Sequence, residues 1–113
     1  MVIELPWPPS VNHYWRRQGN RYFISQKGKE YKETVFYLCA NYRNEFNKDQ
    51  KLSLFVDAFP PDNRHRDIDN ILKVLLDSLQ FAKVYPNDYQ IDFLQVKRKP
   101  DHLNKVIVEI LSL

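Results

Sequence analysis

Four side chains in the middle of the chain have the types and spacing that divalent-metal chemistry needs. Asp67 and Asp69 flank Ile68 where a proline-broken segment enters a helical pattern, Lys73 follows Asp69 by four positions, and Asp88 lies in Pro86-Asn87-Asp88 beyond the end of that pattern. In an extended approach, side chains two apart share a face, so Asp67 and Asp69 turn toward one ion while Ile68 points into the core. Lys73 then stands about 6 Å along the helix axis from Asp69 on the same face. Mg²⁺ takes oxygen ligands, commonly carboxylates with water and a substrate phosphate, so an acidic set of this size suits phosphodiester hydrolysis. A nearby ammonium suits the charge that develops on the phosphate. Each residue also has a plainer reading: Asp69 or Asn70 as an N-cap, Asp88 as a turn residue, and Asp69–Lys73 as a surface pair worth about 0.3 to 0.5 kcal/mol. Zinc is less suited, because His13, His65 and His102 are scattered along the chain.

Basic and aromatic residues flank the acids. Arg64, His65 and Arg66 come immediately before Asp67, and Trp15, Arg16, Arg17, Arg21 and Tyr22 interleave near the N-terminus. Arginines neutralise backbone phosphates and exposed aromatics offer stacking faces to unpaired bases, which makes both segments candidates for DNA contact. Scattered surface arginine is the ordinary alternative. Net charge is only +3, so any polyanion site must come from local clustering.

The elements that position these groups follow from periodicity. Val2 to Leu5 reads as a strand stopped by Pro6, and Leu5-Pro6-Trp7-Pro8-Pro9-Ser10 as a rigid extended segment. Asn12 to Arg21 reads as an exposed loop. Ser25 caps a helix carrying Tyr31, Val35, Leu38 and Tyr42 on one side, to about Tyr42. Leu52, Leu54, Val56 and Ala58 alternate as a strand before Pro60-Pro61. Ile68, Leu72, Leu75, Leu79 and Ala82, with Ile71 and Leu76, mark a second helix over about Asn70 to Phe81. Strands follow over about Gln90 to Lys97 and Lys105 to Leu111, with Lys99 to His102 read as a hairpin connection. The expected fold is therefore α+β, a single compact domain over residues 1–113. It has a small mixed β-sheet packed with two helices in the order β-α-β-α-β-β, and its strand order is open.

Composition removes other classes. Two glycines, Gly19 and Gly28, can build neither a dinucleotide fingerprint nor a P-loop, so no nucleotide cofactor is expected. The single cysteine, Cys39, excludes an intrachain disulfide and fits a reducing cytoplasm. Met1 opens onto Val-Ile-Glu-Leu-Pro without a basic and then apolar leader, and no apolar run reaches about 18 residues, so no membrane partner is expected.

Taken together, Leu5-Pro6-Trp7-Pro8-Pro9-Ser10 with Asn12 and Tyr14, Arg66-Asp67-Ile68-Asp69-Asn70 with Lys73 and Asp77, and Asn87-Asp88 with Gln90-Ile91 resemble the RusA family of Holliday junction resolvases. The order and spacing match across nearly the whole chain. The resemblance implies a homodimeric endodeoxyribonuclease, dependent on Mg²⁺ or Mn²⁺, that makes paired cuts in a four-way DNA junction, in a bacterial, prophage or phage setting. It also implies that Asp67, Asp69 and Asp88 are the acidic ligands and Lys73 the lysine of the site. A dimer agrees with symmetry, since a two-fold junction needs two cuts and one small domain holds one site. Two positions depart from the family pattern. Lys83 stands where a glycine is common after the second helix, and Asn87 where a paired acid is common. A left-handed C-cap at Lys83 costs about 1 to 2 kcal/mol. The rival readings are a non-catalytic module for branched or single-stranded DNA and, more distantly, a small Mg²⁺ phosphatase.

Overall fold

The computed structural model describes all 113 residues. Its strands are β1 (Val2–Pro6), β2 (Trp15–Gln18), β3 (Arg21–Ile24), β4 (Leu52–Phe59), β5 (Ile91–Arg98) and β6 (Lys105–Ser112), and its helices are α1 (Val11–Tyr14), α2 (Gln26–Leu38) and α3 (Leu72–Phe81). Short 3₁₀ turns occupy Ala40–Tyr42, Ile68–Ile71 and Asp88–Gln90. No helix is long and apolar enough to cross a membrane.

Period-two burial builds the sheet. Leu52, Leu54, Val56 and Ala58 of β4 alternate inward, as do Val106, Val108 and Ile110 of β6. Tyr31 and Val35 of α2 join them in one cluster with Cys39 and with Ile71, Val74, Leu75 and Leu79 from the α3 segment. Each such aliphatic side chain contributes about 1.5 to 3 kcal/mol of burial. The mixed sheet has the order β1-β6-β4-β5. β6 runs antiparallel to β1 and β4, and β4 pairs with β5 in parallel.

That order corrects the expected hairpin at Lys99 to His102. β5 and β6 are not neighbours; β4 lies between them, and residues 99–104 carry the chain past the end of β4. Three further differences are local. The expected loop at Asn12 to Arg21 is instead α1 followed by a β2–β3 hairpin, with Trp15 opposite Ile24 and Gln18 opposite Arg21. Gly19 takes φ +61 in the two-residue turn, a conformation open to glycine at little cost. Every residue of β2 is exposed, so no alternation of burial betrays the strand. Helix α2 stops at Leu38 rather than near Tyr42, its last residues tightening into a 3₁₀ turn. Its buried stripe is Tyr31, Val35 and Cys39, which leaves Leu38 exposed.

The caps explain where the helices stop and start. Ser25 Oγ accepts from the Gly28 N–H at 3.1 Å, as its N-cap position requires. At the C-terminus of α3 the Val84 N–H bonds to the Leu79 carbonyl and the Lys83 N–H to the Gln80 carbonyl, the Schellman pattern. Lys83 takes φ +63 to close it, so the left-handed cap forms without glycine. Two expected outcomes follow. Lys83→Gly, relieving the Cβ strain net of glycine's greater chain entropy, raises stability by about 1 kcal/mol, readable as a melting temperature higher by about 4 °C in calorimetry. Gly28→Ala does the opposite: a Cβ there would lie 2.7 Å from Ile24 Cγ2 and 2.8 Å from Tyr14 Cδ1, and chemical denaturation should register a loss of about 1 to 3 kcal/mol.

Candidate functional site

An open cleft of about 880 Å³ lies at the end of the sheet where β4 and β5 finish. One side is the proline-rich Trp7–Ser10 segment with His13, another the Pro60–Ile68 loop, and the third the β5 exit, with Arg98, Lys99 and His102. Prolines at 60 and 61 end β4 and fix the loop's departure.

An ionic tether shapes that loop. Asp62 bonds to Arg64 at 3.0 Å and to Arg66 at 2.8 Å, and the Arg66 guanidinium also donates to the Asp62 and Arg64 carbonyls. Hydrogen bonds from the Arg64 side chain and backbone, with Arg66 assisting, hold the Asp62 carboxyl well below the usual carboxylate range. The tether therefore holds while Asp62 is ionised and weakens as Asp62 protonates in acid. Arg98 ties the loop to the sheet by donating to the Arg66 carbonyl. The two arginines expected to touch DNA thus differ: Arg64 keeps a side chain 78% exposed, whereas Arg66, at 21%, spends much of its donor capacity on the loop itself.

The acids sit on the crossover from β4 to β5. Asp67 is extended, with φ −69° and ψ 137°, but Asp69 already lies in the 3₁₀ turn Ile68–Ile71. The expected extended Asp67-Ile68-Asp69 run is therefore bent. Asp67 lines the cleft while Asp69 lies outside its lining, and both are open to solvent. Ile68 does not enter the core; it is 43% exposed and lines the cleft, because the turn lifts it clear of the face that α3 covers. Lys73 makes its ion pair with Asp77, at 3.1 Å, rather than with Asp69. Both partners are on α3 one turn apart, where i,i+4 geometry is regular, whereas Asp69 precedes the helix. The other Asp77 oxygen accepts from the Tyr14 hydroxyl at 3.4 Å. Burial first, and Asp77 second, push the Tyr14 hydroxyl far above its ordinary pKa, so it stays a donor.

Asp88 lies at the far end of α3. Its N–H bonds to Gln80 Oε1 at 3.0 Å, and a capping box between Asn87 and Gln90 fixes the turn. Gln90 in turn donates to the carbonyls of Asn47 and Gln50. Asp88 and Asp77 both reinforce the upward shift that burial imposes on Tyr85. Ten α-helical residues span about 15 Å, so Asp88 does not share a position with Asp67 and Asp69 within one protomer. No group of three His, Cys, Asp or Glu side chains in the protomer could hold a metal ion. The exposed oxygen donors of Asp67 and Asp69 fit a hard cation, but two carboxylates are the whole set at that end.

Trp15, Arg16, Arg17 and Arg21 stand on the exposed β2–β3 hairpin, with Arg17 over the Tyr22 ring at 5.7 Å and Trp15 edge-on to Tyr14. The hairpin root is fixed by Ser25, whose hydroxyl donates to the His13 carbonyl at 2.6 Å and whose N–H bonds to the Tyr14 carbonyl. The fold also adds cleft residues that sequence spacing did not single out. His13 and His102 join His65 in lining the one cleft, together with Arg98 and Lys99. The run Lys97-Arg98-Lys99 was the only local signal of a basic wall there.

Against this geometry the comparisons with known proteins are direct. Residues 6–111 match the model of the endodeoxyribonuclease RusA family. The crossover junction endodeoxyribonuclease of Enterobacteria phage HK97 is 45% identical over 94 residues, covering 83% of this chain and 78% of that protein. Those of Shigella sonnei and of Escherichia coli K12 are 33% and 32% identical over 98 residues, covering 87% of this chain and 82% of each. With its cleft, hairpin and acidic crossover falling inside the matched span, this chain belongs to the RusA family of endodeoxyribonucleases.

Proposed function

We propose that this chain resolves four-way DNA junctions by hydrolysing phosphodiester bonds, as a homodimer that uses Mg²⁺ or Mn²⁺ in the cytoplasm of a bacterial cell. The observation that carries this reading is the placement of Asp67 in the lining of a cleft walled by Arg64, Arg66, Arg98 and Lys99, with the exposed Asp69 two residues further along the chain. Two hard anionic donors border a basic channel that suits a phosphate backbone.

When bound, the divalent ion would lower the pKa of a coordinated water and neutralise charge on the scissile phosphate. Asp67 and Asp69 would supply oxygen ligands to it, with Asp88 as the third acid of the set. Lys73, half exposed and paired with Asp77, swings between that carboxylate and the phosphate charge that builds up in the transition state. The cleft arginines and Lys99 hold the strand in register. The β2–β3 hairpin offers Trp15 as a stacking face and Arg16, Arg17 and Arg21 as phosphate contacts at the junction branch point.

Incubation of a labelled four-way junction with the pure protein, in Mg²⁺ and in EDTA, separates this from the non-catalytic DNA-binding reading, in which binding is equal in both and no cut occurs. Cutting should require the ion. Asp69→Asn should lower cleavage by about a hundredfold or more while binding is kept or tightened, because a negative charge near DNA is removed; unimpaired cleavage would sink the assignment. Lys73→Ala should slow single-turnover cleavage by about 10² to 10³ with only a small loss of junction affinity.

A further inference from the structure

Asp77 stands outside the acidic set, yet its carboxylate is held from two sides. It lies on α3 one turn after Lys73, with a side chain only 18% exposed. One oxygen takes the Lys73 ammonium at 3.1 Å and the other the Tyr14 hydroxyl at 3.4 Å. A solvated i,i+4 pair on a helix holds weakly, and a lysine N-terminal to its acid is the weaker order. The Tyr14 contact makes this pair different. It comes from α1, 63 residues away in the chain, and fixes the carboxylate from outside the helix.

Tyr14 is itself built into place. Its side chain is fully buried, and its carbonyl accepts from the Ser25 N–H at 2.7 Å, which ties it to the start of α2. The ring lies against Gly28, where a Cβ would come within 2.8 Å of Cδ1 and 3.0 Å of Cε1. Trp15 packs edge-on at 5.2 Å, and the Lys32 ammonium stands 5.8 Å from the ring centroid. Burial keeps the hydroxyl protonated, so it remains a donor to Asp77. The Lys73 side chain, by contrast, is 53% exposed on a flexible four-carbon stem and has many rotamers open to it without a partner.

We propose that Asp77 and Tyr14 are positioning residues for Lys73: the buried hydroxyl fixes the carboxylate, and the carboxylate confines the ammonium to one part of the outer face of α3. The proposal rests on the reading of Lys73 given above, as the cation that meets charge developing on the phosphate. A cation held near its working place before the reaction costs little reorganisation during it, which is where such side chains gain their effect. Neither Asp77 nor Tyr14 touches the substrate in this scheme; both act through Lys73. The sign of the charge makes the scheme distinctive. As a plain negative charge near DNA, Asp77 only weakens binding, so its removal should favour the complex while cleavage suffers.

Double-variant cycles decide between positioning and mere packing. Single-turnover cleavage of a labelled four-way junction is followed in Mg²⁺, with junction affinity measured in EDTA. Asp77→Asn, which keeps the side chain's shape, should slow cleavage by about 10- to 100-fold, and Tyr14→Phe by about 3- to 10-fold, with affinity kept or tightened. In a Lys73→Ala background neither change should slow cleavage further, whereas loss of an independent structural contact adds its full effect. The Mg²⁺ concentration giving half the maximal rate should match that of the wild type; a rise in Asp77→Asn would mark Asp77 as a metal ligand and overturn the proposal. Tyr14→Phe removes one hydroxyl from a packed ring, so it keeps the question open to measurement if Asp77→Asn does not fold. Cleavage slowed by Lys73→Ala but unchanged in Asp77→Asn and Tyr14→Phe, or slowed by them equally in the Lys73→Ala background, overturns the positioning roles and leaves Lys73 standing. Full cleavage by Lys73→Ala overturns the reading of Lys73 itself, and the positioning roles with it.

Discussion

Parallel pairing of β4 with β5 is the constraint on which the rest depends. Antiparallel neighbours can be joined at one end by a tight turn, but a parallel neighbour forces the chain to leave at one end of the sheet and return at the other. Here that crossover is residues 60–90, and every candidate catalytic residue lies on it. Asp67 and Asp69 come early, at the end where β4 finishes; Asp88 comes late, at the end where β5 starts. Their separation is a consequence of strand direction and helix length, not of local disorder or a misplaced loop.

The crossover needs anchoring at both ends if its side chains are to be held in place. At the cleft end the anchor is ionic, Asp62 gripped by Arg64 and Arg66 with Arg98 behind them. At the other it is a cap and a box: Lys83 in a left-handed turn, its carbonyl accepting from the Asn44 N–H at 2.6 Å, and Gln90 buried against the Asn47 and Gln50 carbonyls. Between them α3 is clamped by apolar burial on one side, while on its outer side Tyr14 and Lys73 share Asp77. Tyr14 reaches that position only because Gly28 presents no side chain to it, which joins the helix-start chemistry of α2 to the geometry of α3.

Much of this was legible in the sequence because it is local. Alternation marked β4, the stripe marked α3, Ser25 marked a helix start, and the left-handed demand on Lys83 could be read from its place after the helix. What was not legible is what depends on distant pairing. A parallel and an antiparallel β5 have the same residues, so Lys99 to His102 looked like a hairpin. The β2–β3 hairpin escaped because an exposed strand has no buried face to give it a period. Likewise, three histidines with wide spacing look unrelated until the proline segment, the loop after β4 and the exit of β5 converge on one cleft. The spacing of Lys73 from Asp69 suggested a pair, but the 3₁₀ turn delays the helix, and the next regular partner, Asp77, takes the ammonium.

The same constraint bears on how far apart the acids of one protomer lie. A crossover that must end on the opposite side of the sheet from where it began cannot gather its first and last acids by bending, because α3 is rigid over about 15 Å and its burial fixes its direction. Lengthening the loops would bring them together only at the cost of ordering more chain.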